Sequence, residues 1–483
     1  MMGIILHENK IDFNSLERKI YEYGCNVACE VMKDCLQQLD NMLSKSRNKA
    51  VYRHKGYRKT CIKTLMGEVE FSRAVYENND DDEGKKYIYL LDETLNFDTI
   101  GLISTNLAEK IEENTCITSF KNAAKNISTL TGQKISHTGV WNVTQRLGEK
   151  VAEQEKAMVD LYKAKKSRGE KEVKLLFEES DGVFIKLQGK DRKAKGNKAE
   201  MKVAISYEGW KKVGCNRFEL ACKNAVCGID TTTDFMNKKE AHIASIYNTD
   251  EIEMRIFNSD GAKWIKNLHV DDTVQFQLDP FHVRQAVIRK VSDKNARAQI
   301  NKFIDELKID EMLTYIDAVA NSVNDEKQEK KLRELHAYFT ENKNGLIPYT
   351  KRNLKLPEIA DGLECRGMGT CEHNIDLVAA RRMKHHGASW SIEGANNLGK
   401  LLALKTSKKL SETIRKISKI VLPETMTSNI VEILSAAKAP KKDGHGNEFK
   451  NCSRPFVNAS ITNGRKAILK MFDDKEIWEL IIR

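Results

Sequence analysis

The order of short apolar runs between Val173 and residue 290 limits the fold more than any other feature of this sequence. Val173–Phe177 and Val183–Leu187 read as one strand bent at Asp181-Gly182, and Met201–Tyr207 and Phe218–Ala225 read as two more. Thr231–Thr249 has helical spacing, Glu253–Phe257 is strand-like and Gly261–Leu268 is a short helix. Thr273–Leu278 is again a strand, and a helix opens at Phe281. Such a β-β-β-α-β-α-β-α order calls for a mixed sheet with helices on both faces.

That is the element order of an RNase H-like domain. The expected fold class is therefore α/β: an RNase H-like catalytic core with a helical insertion, preceded by a mainly helical N-terminal DNA-binding region. The insertion is the highly charged helical stretch from about 295 to 345 (NKFIDELKIDEML, NDEKQEKKLRELHAYF). Near the front, Leu16, Ile20, Val27, Val31, Cys35, Leu39 and Met42 mark one long amphipathic helix from Ser15 to Ser44, despite Gly24. A basic stretch, YRHKGYRKT, leads into a hairpin in which Ile62–Met66 turns at Gly67 and Val69 and Phe71 return. Basic side chains on such a ribbon can follow phosphates, and they can equally be a solvated face.

Between Ile117 and Val151 two helices flank a turn at Gly132. One buries Phe120, Ala123, Ala124, Ile127 and Leu130; the other is capped by Ser136 and buries Val140, Val143 and Leu147. Read as a helix-turn-helix, this pair leaves His137, Thr138, Asn142, Gln145 and Arg146 to face DNA. An ordinary helical hairpin has the same pattern, and Gly139 in the first turn speaks for it. The expected partition is an N-terminal helix over 1–50, a basic hairpin region over 51–98 and a helix-turn-helix-like region over 99–160. The core follows over 172–290, the insertion over 291–365, closing core helices with a catalytic glutamate over 366–410 and a helical tail over 411–483.

Composition bears on the partner. Lys and Arg number 80 against 69 Asp and Glu, a formal charge of +11, which suits a polyanion because each phosphate contact releases condensed counterions. The first residues lack the features of a secretory signal, and no apolar run approaches the roughly 18 residues that span a bilayer. Eleven scattered cysteines fit a reducing compartment better than a disulfide framework. The expectation is an intracellular, cytoplasmic protein with no membrane partner.

Moving a phosphodiester bond without a covalent enzyme intermediate needs an activated oxygen nucleophile and a stabilised leaving oxygen. Two Mg²⁺ (or Mn²⁺) ions about 4 Å apart can serve both. Such hard cations take a few carboxylates, which would repel one another without them. Three acids stand where such ligands belong: Asp181 at the bend of the first strand, Asp260 at the end of the fourth, and Glu372 at the start of a late helix. Asp-Gly occurs four times in the chain and usually marks a turn, so the signal is the arrangement of all three acids.

Asp279 and His282 form a supporting polar pair after the fifth strand, although Asp279 before Pro280 also reads as a helix cap. Beyond Glu372 a helix has the inner face Ile375, Val378, Ala379 and Met383. Its outer face, with Arg381, Arg382 and Lys384, could hold target phosphates or simply meet solvent. The cysteine spacings match no standard zinc pattern, and no GxxxxGKS loop indicates a nucleotide cofactor.

Several strings together resemble the ISLre-type bacterial insertion-sequence transposases, distant relatives of the Mutator-like DDE transposases. They are TLMGEVEFSRAVY, YIYLLDETLNFD, SHTGVWNV, EESDGVFIKLQG, NSDGAKWI, LDPFHVRQAV and CEHNIDLVAARRMKHHGASWS, and they span most of the chain. The resemblance implies a transposase that cuts element ends and joins them to target DNA with Mg²⁺, working as a homo-oligomer on double-stranded DNA. It implies Asp181 and Asp260 as the two aspartates and Glu372 as the glutamate, with Glu393 in SWSIEGANNLGK the alternative third acid. Two other readings stay open: an inactive, transposase-derived DNA-binding protein, and an RNase H-like nuclease or resolvase.

Overall fold

In a computed structural model, residues 12–79, 87–97, 101–262, 273–385 and 387–418 are described below. They divide into two units, one of residues 12–97 with 131–133, the other of 101–130 with 134–418. The part of the expected helical tail beyond 418, His386 and most of the expected helix at Gly261–Leu268 lie outside the described residues.

The first unit is built on one helix and a hairpin. Helix α1 (Phe13–Ser46) starts where the Asp12 side chain accepts the Ser15 N–H, and it runs unbroken through Gly24. Strands β1 (Tyr52–Lys63), β2 (Glu68–Asn78) and β3 (Tyr87–Ile88) pair antiparallel in that order, followed by the short helix α2 (Leu90–Thr94). Leu36 and Leu39 of α1 close over Ile62, Val69, Phe71, Leu91 and Leu95. The basic stretch expected before the hairpin is itself strand β1, with a register shift between His54 and Gly56. Its alternating side chains are charged rather than apolar, so periodicity could not reveal it.

In the second unit three helices come first: α3 (Thr105–Thr115), α4 (Phe120–Thr131) and α5 (His137–Lys163). Next are strand β4 (Leu175–Lys186), helix α6 (Gly189–Lys195), and strands β5 (Lys198–Tyr207), β6 (Trp210–Lys212), β7 (Phe218–Leu220) and β8 (Asn224–Gly228). Helix α7 (Thr232–Ile246), strands β9 (Met254–Ser259) and β10 (Val274–Leu278), and helix α8 (Pro280–Lys290) follow. Helices α9 (Lys294–Asp305), α10 (Ile309–Ser322) and α11 (Glu326–Glu341) form the charged stretch. The chain continues through β11 (Leu363–Glu364), α12 (Cys371–Ile375), a π-helical segment (Asp376–Lys384), α13 (Ile392–Thr406) and α14 (Leu410–Ile417).

The main sheet has the order β10-β9-β4-β5-β8. β4 is antiparallel to β5, and β5 to β8, while β9 runs parallel to both β4 and β10. Two expectations are corrected here. β4 is continuous through Asp181-Gly182: Asp181 pairs with Val203 and Gly182 with Lys202. The expected strand Phe218–Ala225 is two strands in two sheets, because Cys222 takes a left-handed φ of 50° and sends β7 into a small β11-β6-β7 sheet.

The charged helices α9–α11 bury Ile300, Met312, Ile316, Leu332, Leu335 and Phe339 in one cluster with Leu278, Val283 and Val287 of β10 and α8. Amphipathic spacing made them legible as helices; their shared core ties them to the end of the sheet.

α5 is 27 residues long, not a short recognition helix, and its inner face meets α7 and α13. Gly148 lets α5 and α13 approach closely, since a Cβ there would stand 2.6 Å from Asn397 Cα and 2.8 Å from its carbonyl oxygen. Gly148→Val should cost about 2–3 kcal/mol through overpacking. Urea denaturation checks this, and an unchanged midpoint would mean that the two helices separate freely.

Candidate metal centre

The sheet register assembles the acids. The last parallel rungs are Ser180↔Ser259 between β4 and β9 and Leu278↔Ser259 between β10 and β9. The next residue on each of three neighbouring strands is an aspartate: Asp181, Asp260 and Asp279. Asp260 and Asp279 directly follow β9 and β10, at the carboxyl ends where open α/β sheets place ligands, and Asp181 lies within β4 one residue beyond its parallel pairing with β9.

Two more side chains come from helices. His282 lies in the first turn of α8, with Nε2 at 3.6 Å from Asp181 Oδ2 and 3.4 Å from Glu372 Oε1. Glu372 lies in the first turn of α12 and is about half exposed, whereas Asp181 is buried. One ligand atom each of Asp181, His282 and Glu372 lie within 4.8 Å of one another. The Asp260 carboxylate accepts the Ala262 N–H, while the Tyr338 hydroxyl donates to the Asp260 carbonyl at 2.7 Å. Asp260 thus flanks the cluster as it stands; its neighbour Gly261 is needed for a φ of 75°.

Asp279 holds the cap position before Pro280, but its side chain makes no capping hydrogen bond. It is buried and takes the His282 Nδ1–H at 2.8 Å, with Asn258 Nδ2 at 3.2 Å on its other oxygen. The cap reading is right about position and wrong about what the carboxylate does, because burial demands a stronger partner than a helix N–H.

The electrostatics register the crowding. Burial, and then the charges of Asp260 and Glu372, push the Asp181 carboxyl up to about 7, against the opposing pull of His282. Burial disfavours charge on His282, yet the Asp279 hydrogen bond and the Asp181, Asp279 and Asp260 charges outweigh it and raise its pKa above 6.5. The sign follows: this imidazolium stabilises the fold below pH 6.5, and the contribution is lost as pH rises through the raised value. His282→Ala should therefore destabilise the metal-free chain more at pH 6 than at pH 9, with a loss at pH 6 of about 1.5–3 kcal/mol for a charged hydrogen bond. Equal losses in thermal melts at both pH values would contradict a charged His282.

The other expected residues are dispersed. Glu393 is exposed in the first turn of α13, outside the cluster. His137, Thr138, Asn142 and Arg146 are exposed on α5, but Gln145 is buried and accepts from Asn397 Nδ2 at 2.9 Å, so it is not open to DNA. Arg381 is exposed and paired with Asp376, and Lys384 is exposed. Arg382 turns inward instead: its Nε donates to the Thr115 carbonyl at 2.7 Å and its guanidinium lies over the Phe120 and Trp390 rings. Its spacing of four from Val378 was the overlooked signal, since i and i+4 share a helix face.

Sequence reasoning missed Glu179 altogether. On β4 it shares a face with Asp181, and it is buried with Tyr207, Thr370 and Asn258 as hydrogen-bond partners. The residues of the cluster offer hard carboxylate oxygens and one imidazole, and a divalent cation would offset the burial and the carboxylate repulsion that raise Asp181.

The chain belongs to the uncharacterised protein family UPF0236, whose family model matches residues 6–418. It is similar to a UPF0236 protein in the vanSb 3' region of Streptococcus gallolyticus, 24% identical over 404 residues, 82% of this chain and 83% of that protein. It is also similar to UPF0236 proteins of Caldanaerobacter subterraneus subsp. tengcongensis. One is 23% identical over 405 residues, covering 83% of this chain and 80% of the relative. Another, also 23% identical, covers 83% of this chain and 79% of the relative, and its name joins four locus designations. Among the described residues no helix is long and apolar enough to cross a membrane.

Proposed function

We propose that the chain is a DDE-type transposase of the ISLre kind, which cleaves the ends of an insertion sequence and joins them to target DNA on an RNase H-like core. The observation that carries this reading is the cluster of Asp181, His282 and Glu372, with Asp260 flanking it, where β4 and β9 end their parallel pairing. The sheet order, with β4, β5 and β8 antiparallel and β9 and β10 parallel to β4, supports the RNase H-like assignment. A single protein name that joins four locus designations suits a gene present in several copies, as mobile DNA is.

Asp181, Asp260 and Glu372 would hold one or two Mg²⁺ or Mn²⁺ ions. A bound ion of this kind activates the attacking oxygen and neutralises the leaving one. Glu372, on the exposed side, leaves the cluster open to a phosphate backbone. Asp279 fixes the His282 ring by its Nδ1–H, so that Nε2 faces the cluster and can hold a proton there. The formal charge of +11 favours DNA as the partner.

The test is a cleavage and joining assay on DNA from both flanks of the gene, in Mg²⁺ and in EDTA. Wild type should cut and join in Mg²⁺ only. Glu372→Gln should bind DNA and cut at least about 100-fold more slowly, about 2.7 kcal/mol of lost transition-state stabilisation, while Glu393→Gln cuts normally. Binding without cleavage by the folded wild type would favour an inactive DNA-binding protein, and cleavage without joining a nuclease or resolvase.

A further inference from the structure

Beneath the cluster lies a buried carboxylate with no place among the proposed ligands. Glu179 Oε1 accepts two hydroxyls, Tyr207 at 2.8 Å and Thr370 at 2.5 Å, and Oε2 accepts Asn258 Nδ2 at 3.1 Å. Thr370 stands at the start of α12, two residues before Glu372. Asn258 reaches on to Asp279, and Asp279 to His282. Gln277 fixes Asn258 in turn, donating to its Oδ1 at 3.1 Å. Two residues along β4 is Asp181 itself.

From this geometry we infer that Glu179 is a positioning residue that holds Glu372 and His282, from two separate helices, in register with Asp181. The inference rests on the metal reading of the cluster. Its physical basis is acceptor count: Glu179 serves three donors, which a carboxylate can do and an amide cannot. In Glu179→Gln the amide NH₂ must face either the two hydroxyls or Asn258 Nδ2. Asn258 cannot flip to accommodate it without losing Gln277 and Asp279. With the NH₂ toward the hydroxyls, which can also accept, both arms keep a partner but lose the carboxylate charge and leave the hydroxyl protons short of an acceptor, so the hold on both arms weakens. Shape and burial are kept, so the fold persists.

The test uses the full chain and Mn²⁺ alone, with binding read by electron paramagnetic resonance and folding by thermal melting. Glu179→Gln should weaken Mn²⁺ binding about 10–100-fold, as loss of an outer-shell partner does, with little change in melting temperature. Thr370→Val, which frees only the α12 arm, should weaken it in the same direction by less and stands as the readout if Glu179→Gln melts early. Wild-type affinity in both variants would overturn the inference while leaving the metal centre intact. No Mn²⁺ binding by the wild type would overturn both.

Discussion

Asp181→Asn is expected to abolish DNA cleavage and, in EDTA at pH 8, to melt at a higher temperature than the wild type. A carboxylate that holds a catalytic metal is worth several kcal/mol to the transition state, so cleavage should fall by about 1000-fold or more. The stability gain has the opposite sign because the same carboxylate is costly when empty. Its folded pKa of about 7 lies above the ordinary value of 3.8, so the folded chain holds this proton more tightly than the unfolded chain. The penalty for losing it accumulates as pH rises from 3.8 and is complete above about 7. Asparagine removes that penalty, a gain of about 1–3 kcal/mol at pH 8 that should vanish near pH 4. Melting curves at the two pH values read the effect directly. A variant less stable than wild type at pH 8 would mean that Asp181 serves the fold rather than a metal.

Arg255→Met should be the most destabilising single change on the opposite face of the sheet. Arg255 Nε donates to Glu178 at 2.5 Å, and its two terminal nitrogens donate to Glu240 at 3.0 and 2.8 Å. Lys239 completes the group by donating to Glu178 at 2.6 Å, and all four side chains are buried. Burial alone would raise the Glu178 carboxyl, but Arg255 and Lys239 hold it down at about 2. Its contribution to stability is therefore present above pH 4.5 and lost as pH falls through 2. Methionine leaves the carboxylates short of a cation, which costs about 3–5 kcal/mol for a broken buried network. Glu178→Gln in the Arg255→Met background should recover part of that loss at pH 7. Urea denaturation of the single and double variants decides this, and a loss below about 1 kcal/mol would place the group with surface pairs.

The helices were legible because each buries one face at its own period, and the core strands, buried on both faces, because they are short apolar runs. Asp181 and Asp260 were legible as acids at strand positions followed by glycine. What stayed hidden depends on partners remote in sequence. Glu178 and Arg255 are 77 residues apart, and Gln145 and Asn397 are 252 apart. Glu179 looks like half of an ordinary acidic pair until β4 proves central, paired along both edges with β5 and β9. Asp279 was disguised by the grammar of helix caps, and Arg382 by the assumption that arginine stays outside. Polar residues inside a strand that must be central are the signal to look for, because burial obliges each to have a partner.

The most direct test of the central claim is anomalous diffraction from crystals of the full chain soaked in Mn²⁺. The account predicts a peak within coordination distance of Asp181, Asp260 and Glu372 oxygens, absent from crystals of Asp181→Asn. No peak there, or a peak unchanged in the variant, would contradict it.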